Sequence, residues 1–150
     1  MDNRKRLRLA EYDYSQAGAY FVTICTKDNI PLLSQIEIVG DDAHIVPTGY
    51  GQIAETYLKT IPGIDKYVIM PNHIHMIIQI KGPMWASAPT QSISCRIRSF
   101  KTLVTKTVGK SLFQRSFYDH VIRGEEDYRE IWNYIDQNPA KWQEDRFYVT

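Results

Sequence analysis

The apolar positions of this chain change period several times, and each change marks an element. Residues 19–26 (AYFVTICT) are rich in β-branched and aromatic side chains and predict a strand. Residues 35–39 and 44–46 flank Gly40-Asp41-Asp42, the pattern of a hairpin. Residues 51–60 have weak helical spacing, with Ile53, Tyr57 and Leu58 inward and Pro62-Gly63 as a stop. A short apolar strand over 66–70 turns at Pro71-Asn72 into a second over 73–80. Ile93, Ile97, Phe100, Val104 and Val108 recur at steps of three and four, which predicts an amphipathic helix over 92–108 with Arg98, Lys101 and Lys106 on its polar face. Residues 117–122 read as a short extended segment. Residues 125–138 read as a last helix, with acids in its first turn to suit the dipole and Pro139 behind it. Strands alternate with helices and some must pair antiparallel, so the class is α+β or an open α/β sandwich.

Composition narrows the setting. The 150 residues suit one domain spanning 1–150, with 43% hydrophobic and 23% charged residues as in ordinary soluble proteins. No apolar run approaches the ~20 residues of a membrane span, and the charged first ten residues hold no secretory apolar stretch. Residues 81–89 form a linker-like loop inside the domain. Cys25 and Cys95 lie far apart and suggest buried thiols in a reducing cytoplasm rather than a disulfide framework. The net charge of +1 says little, but its distribution is uneven. Between Ser92 and Arg123 seven cations face Asp119 alone, a net +6, whereas residues 124–150 sum to −4. Such a basic segment can bind phosphate on one side of the molecule; it can equally be a solvated helix face.

Candidate chemistry sits in two places. In PNHIHMIIQI, His73 and His75 share one face of a strand while Ile74, Met76, Ile78 and Ile80 share the other. Two adjacent imidazoles make a platform for a divalent ion but need a third ligand. An H-x-H pair also arises often by chance; its place in an apolar strand, where polar groups need partners, favours a functional use. His44 and His120 have no such neighbour and read as structural, with Asp119-His120 able to lend hydrogen bonds. On the last helix Tyr134 and Asn138 are one turn apart on one face, offering a phenol nucleophile and a neutral oxygen ligand. On chemistry alone Tyr118 and Tyr128 are equally eligible.

In order and spacing, the strings YFVTICT, YVIMPNHIHMII, FQRSFYDHVIR and YIDQNPAKW resemble the REP-associated tyrosine transposases, of the IS200/IS605-like group of HUH single-strand nucleases. The likeness covers nearly the whole chain. It implies a ferredoxin-like or RNA-recognition-type sandwich, a central antiparallel sheet with flanking helices. It implies that His73 and His75 are metal ligands, that Tyr134 is the nucleophile and that Asn138 is the third ligand, with Gln137 a weaker alternative and His120 in support. The cofactor would be Mg²⁺ or Mn²⁺. The partner would be single-stranded or hairpin DNA, gripped by Arg96, Arg98, Lys101, Lys106, Lys110 and Arg115 and by an N-terminal arm with Arg4 and Arg6; Tyr12 and Tyr14 could stack on bases. The expected setting is a bacterial cytoplasm near the nucleoid, with a monomer favoured over a dimer. The chain departs from larger relatives in stopping soon after Trp142 and in the 81–89 loop, which bears on hairpin specificity. Competing readings are a non-catalytic nucleic-acid-binding protein of the same fold, a phosphodiesterase that uses water, and an enzyme acting on a small phosphoester.

Overall fold

The computed structural model describes residues 18–80, 92–145 and 147–148. Arg4, Arg6, Tyr12, Tyr14 and the 81–89 loop lie outside the described residues. The elements run β1 (Gly18–Cys25), β2 (Ser34–Val39), β3 (Asp42–Pro47), α1 (Gly49–Leu58), β4 (Ile64–Ile69), β5 (His73–Ile80), α2 (Ile93–Val108), β6 (Tyr118–Ile122) and α3 (Gly124–Gln137), then a 3₁₀ stretch, Pro139–Glu144. β2 and β3 pair as the expected hairpin. The other four strands form one antiparallel sheet in the order β4-β5-β1-β6. Set the hairpin aside and the chain reads βαββαβ, with the first and third strands central: the ferredoxin-like arrangement expected from the sequence.

Strand alternation sorts the sheet into two faces. Tyr20, Val22 and Ile24 of β1 join Ile74, Met76, Ile78 and Ile80 of β5 under α1 and α2, where Ala54, Leu58, Ile93, Ile97, Phe100 and Val104 complete the core. The opposite face carries Val68, Met70 and Ile77, with Phe21 at its margin, under Ile135, Ile131 and Trp132 of α3. Each large apolar side chain fully buried there stabilises by about 1.5–3 kcal/mol. A one-residue slip of β5 would turn its four core residues toward α3 and drive His73 and His75 into the apolar core under α1 and α2, so burial of Ile74 and Met76 is what holds the histidines on the α3 face.

Two helices differ in detail from expectation. α1 begins two residues early because the Thr48 side chain accepts the Gly51 N–H at 3.0 Å, an N-cap. Its buried positions are Gly51, Ala54 and Leu58, with Ile53 and Tyr57 only partly covered. The turn into β4 needs Gly63: its φ is +83°, and a Cβ there would come within 2.0 Å of the Gln79 carbonyl oxygen. α2 starts at its Ser92 cap and ends at Gly109, in the left-handed region at φ +95°.

The cations of α2 divide. Arg98 and Lys106 are exposed. Arg96 is buried and donates to the Pro62 carbonyl, so it ties α2 to the α1–β4 turn rather than joining the basic face. Lys101 donates to the carbonyls of Gln114, Arg115 and Ser116 at 2.8, 3.2 and 3.1 Å, and so fastens the segment leading to β6. Burial lowers its pKa to about 8. Both side chains are therefore engaged with backbone carbonyls, although Lys101 also lines a cavity beside Arg98 and Lys106.

Candidate metal and nucleophile site

His73 and His75 project side by side from β5, ring centroids 4.5 Å apart and only 0% and 2% exposed. Each ring is oriented through Nδ1. Thr23, directly across the β1–β5 register from His75, places its hydroxyl 2.8 Å from His75 Nδ1. The Asn72 amide oxygen lies 2.9 Å from His73 Nδ1. Such bonds fix ring angle and tautomer, as second partners of metal-bound histidines do.

The third side chain at the pair is one that the sequence did not single out. Ligand atoms of His73, His75 and Asp145 all lie within 4.8 Å of one another, and Asp145 Oδ2 is 3.5 Å from His73 Nε2. The other Asp145 oxygen accepts the Phe147 N–H at 2.8 Å. Burial pushes the Asp145 carboxyl up, but the His73 ring and the Phe147 amide outweigh it and hold the group below its ordinary value. No periodicity or local motif marks Asp145. It reaches the strand only because the 3₁₀ stretch after Pro139 folds the chain back over β5, laying Trp142 and Phe147 against His73 at centroid distances of 6.2 and 4.4 Å.

Asn138 is buried at the end of α3. Its Nδ2 donates to the Tyr134 carbonyl at 3.0 Å, and its Oδ1 is enclosed with no hydrogen bond. The residue expected as third ligand therefore holds a buried amide oxygen without a donor. It lines a cavity of about 250 Å³ with Tyr134, Gln137, Lys141, Glu144 and Asp145. Tyr134 stands at the rim, 46% exposed, its ring 5.2 Å from that of His75 and edge-on to Phe21 at 6.1 Å.

The donor set fits a divalent cation. Among the described residues, His73 Nε2 and Asn138 Oδ1 are buried without hydrogen bonds, and a carboxylate oxygen faces that nitrogen at a distance too long for one. An imidazole nitrogen facing a carboxylate oxygen in a dry site calls for positive charge there, supplied by a proton on the ring or by a bound cation. Imidazole nitrogens with carboxylate and amide oxygens suit Mn²⁺, and Mg²⁺ less closely.

The remaining expected residues lie elsewhere. His120 faces the α3 side of the edge strand β6 but is engaged by Asp127 at 2.9 Å, a bond that docks the start of α3. Tyr128 donates to Asp65 at 2.5 Å, and burial with that bond pushes its pKa up to about 12. Across the sheet, Arg98, Lys106 and Arg115 line a cavity of about 530 Å³ with Ser94, Thr102 and Ser116. Lys110 is exposed, its amine 5.4 Å from the Tyr50 ring.

A Haemophilus influenzae protein of uncharacterized function is 34% identical over 98% of this chain and 94% of its own length. A second protein of that organism, assigned provisionally to the REP-associated tyrosine transposases, is 26% identical over 86% of this chain and 74% of its own. A REP-associated tyrosine transposase of Escherichia coli K12 is 34% identical over 52% of this chain and 44% of its own length. The chain is similar to the REP-associated tyrosine transposases. A solved structure of a REP-associated tyrosine transposase bound to a REP hairpin shares the fold, with a TM-score of 0.63 at 24% identity over 89% of this chain and 74% of that one. No family model matches the chain. Among the described residues, no helix is long and apolar enough to cross a membrane.

Proposed function

We propose that the chain is a metal-dependent single-strand DNA endonuclease and strand transferase that works through Tyr134. The observation that carries this reading is the position of Tyr134: on the cavity rim, beside His75, with Asn138 and Asp145 lining the same space. His73, His75 and Asp145 would hold Mn²⁺ or Mg²⁺, with Asn138 Oδ1 as a further or alternative ligand. The bound ion would polarise a phosphoryl oxygen. The Tyr134 oxygen attacks the phosphorus, its proton passing to solvent, and the bond from phosphorus to the 3′ oxygen breaks. The products are a 5′-phosphotyrosine and a free 3′-hydroxyl. A second 3′-hydroxyl reverses the step and joins strands, so no nucleotide cofactor is consumed. The contact between the Tyr134 and His75 rings lies within one chain, which suits a monomer as the working unit. Arg98, Lys106, Lys110 and Arg115 would hold the phosphates of a hairpin or a single strand, because exposed cations supply most non-specific affinity for DNA.

The test is a gel. End-labelled hairpin DNA with a single-stranded flank, incubated with the protein and Mn²⁺, should give an adduct that survives SDS. Cleavage without adduct would replace this reading with a phosphodiesterase that uses water; binding without cleavage would leave a nucleic-acid-binding protein of the same fold.

A further inference from the structure

Asn72 immediately precedes the first histidine, is fully buried, and has every polar atom of its side chain engaged. Its Nδ2 donates to two backbone carbonyls, Asn29 at 3.0 Å and Phe147 at 2.6 Å. Its own backbone carbonyl accepts the Thr26 N–H at 3.0 Å and the Thr26 hydroxyl at 3.2 Å. Two carbonyls can be met only by the NH₂ side of the amide, so the atom 2.9 Å from His73 Nδ1 is the amide oxygen, an acceptor. Nδ1 must then carry the proton, and in the neutral ring the lone pair is on Nε2. Nε2 is the nitrogen that faces Asp145.

We propose that Asn72 is a positioning residue that sets the tautomer of His73 and ties it to the segment supplying Asp145. The second half rests on a short relay. Asn72 Nδ2 holds the Phe147 carbonyl, and the Phe147 N–H holds Asp145 Oδ1, which turns Oδ2 toward His73. One amide thereby aligns two ligand candidates that come from distant parts of the chain. The turn on its other side fits the same role. Asp28 and Asn29 both sit in the left-handed region at φ 56°, which Asp and Asn accommodate better than other non-glycine residues. There the Asn29 carbonyl meets Asn72.

The use of this alignment for metal rests on the function proposed above, but the tautomer does not, so the two can fail separately. The first measurement is histidine ¹⁵N NMR of the metal-free protein at a pH where the rings are neutral. His73 should be protonated at Nδ1; protonation at Nε2 in the unmutated protein overturns the proposal without any variant. In Asn72→Ala the ring should shift toward the Nε2–H form that an unconstrained histidine side chain favours, and Mn²⁺ affinity, read by electron paramagnetic resonance, should fall about ten- to a hundredfold. Asn72→Asp keeps an acceptor for His73 but cannot donate to the two carbonyls. It should preserve the Nδ1–H tautomer while loosening the Phe147 segment, visible as faster amide exchange at Asp145 and Phe147. An unchanged tautomer and unchanged Mn²⁺ affinity in a folded Asn72→Ala protein overturn the assignment. If the unmutated protein shows Nδ1–H but binds no Mn²⁺, the metal reading falls and the tautomer assignment stands.

Discussion

Tyr134 and His75 stand ring to ring, 5.2 Å between centroids, one on α3 and the other on β5. The contact brings a phenol to a histidine pair within a single chain. Tyr134→Phe should abolish covalent attachment to single-stranded DNA and leave binding affinity unchanged. Tyr128→Phe should leave attachment intact, because a phenol bonded to Asp65 with its pKa raised to about 12 is a poor source of phenolate. An adduct that survives in Tyr134→Phe, mapped by mass spectrometry to Tyr118, would move the nucleophile to the exposed end of β6.

Asp145 and Asn138 compete for the place beside the histidines, and charge separates them. Asp145→Ala should weaken Mn²⁺ binding by more than about tenfold, since even residues that only support metal ligands commonly contribute that much. Asn138→Ala should cost less, because a neutral amide brings only a dipole. Calorimetric titration with Mn²⁺ compares them; the reverse order would restore Asn138 as the third ligand.

Salt titration can sort the cations. On a single-stranded oligonucleotide, every phosphate that a variant no longer grips should reduce the slope of log affinity against log salt by about 0.7. Arg98→Ala, Lys106→Ala and Arg115→Ala should each do so. Lys101→Met should leave the slope unchanged and lower the denaturation midpoint instead, because its amine is spent on the carbonyls of residues 114–116.

Asp127 accepts the Arg123 N–H at 3.0 Å and the His120 ring at 2.9 Å, and these hold its carboxyl below the ordinary value, the backbone bond contributing most. A carboxylate with a depressed native pKa stabilises fully above its unfolded pKa, near 4, and that contribution is lost as pH falls through the native value. Asp127→Ala should therefore destabilise by about 1 kcal/mol at pH 7, on the scale of a lost capping bond. The difference from the unmutated protein should shrink in urea melts near pH 3.

Much of this architecture was legible because hydrophobic periods are local. The alternation of HIHMIIQI put Ile74 and Met76 on one face and the histidines on the other, and the sheet agrees. The spacing of Ile93, Ile97, Phe100 and Val104 likewise set α2 and its buried stripe. What the residues hid was long-range. Asp145 lies in a stretch without a pattern and matters only because the chain doubles back after Pro139. Arg96 and Lys101 read as surface cations, yet carbonyl acceptors at Pro62 and residues 114–116 draw them inward. Thr23 is a polar residue in an apolar strand, and its use depends on facing His75 across the β1–β5 register, which no local pattern reveals.

The sheet itself sets a constraint on geography. Tyr134 and the histidines lie on its α3 side, while Arg98, Lys106 and Arg115 open from the α2 side. A partition one sheet thick separates the proposed cutting edge from the proposed handle. A nucleic acid held by both must turn a corner around the rim of the sheet, so a straight duplex cannot satisfy them together, whereas a hairpin with a flexible single-stranded tail can.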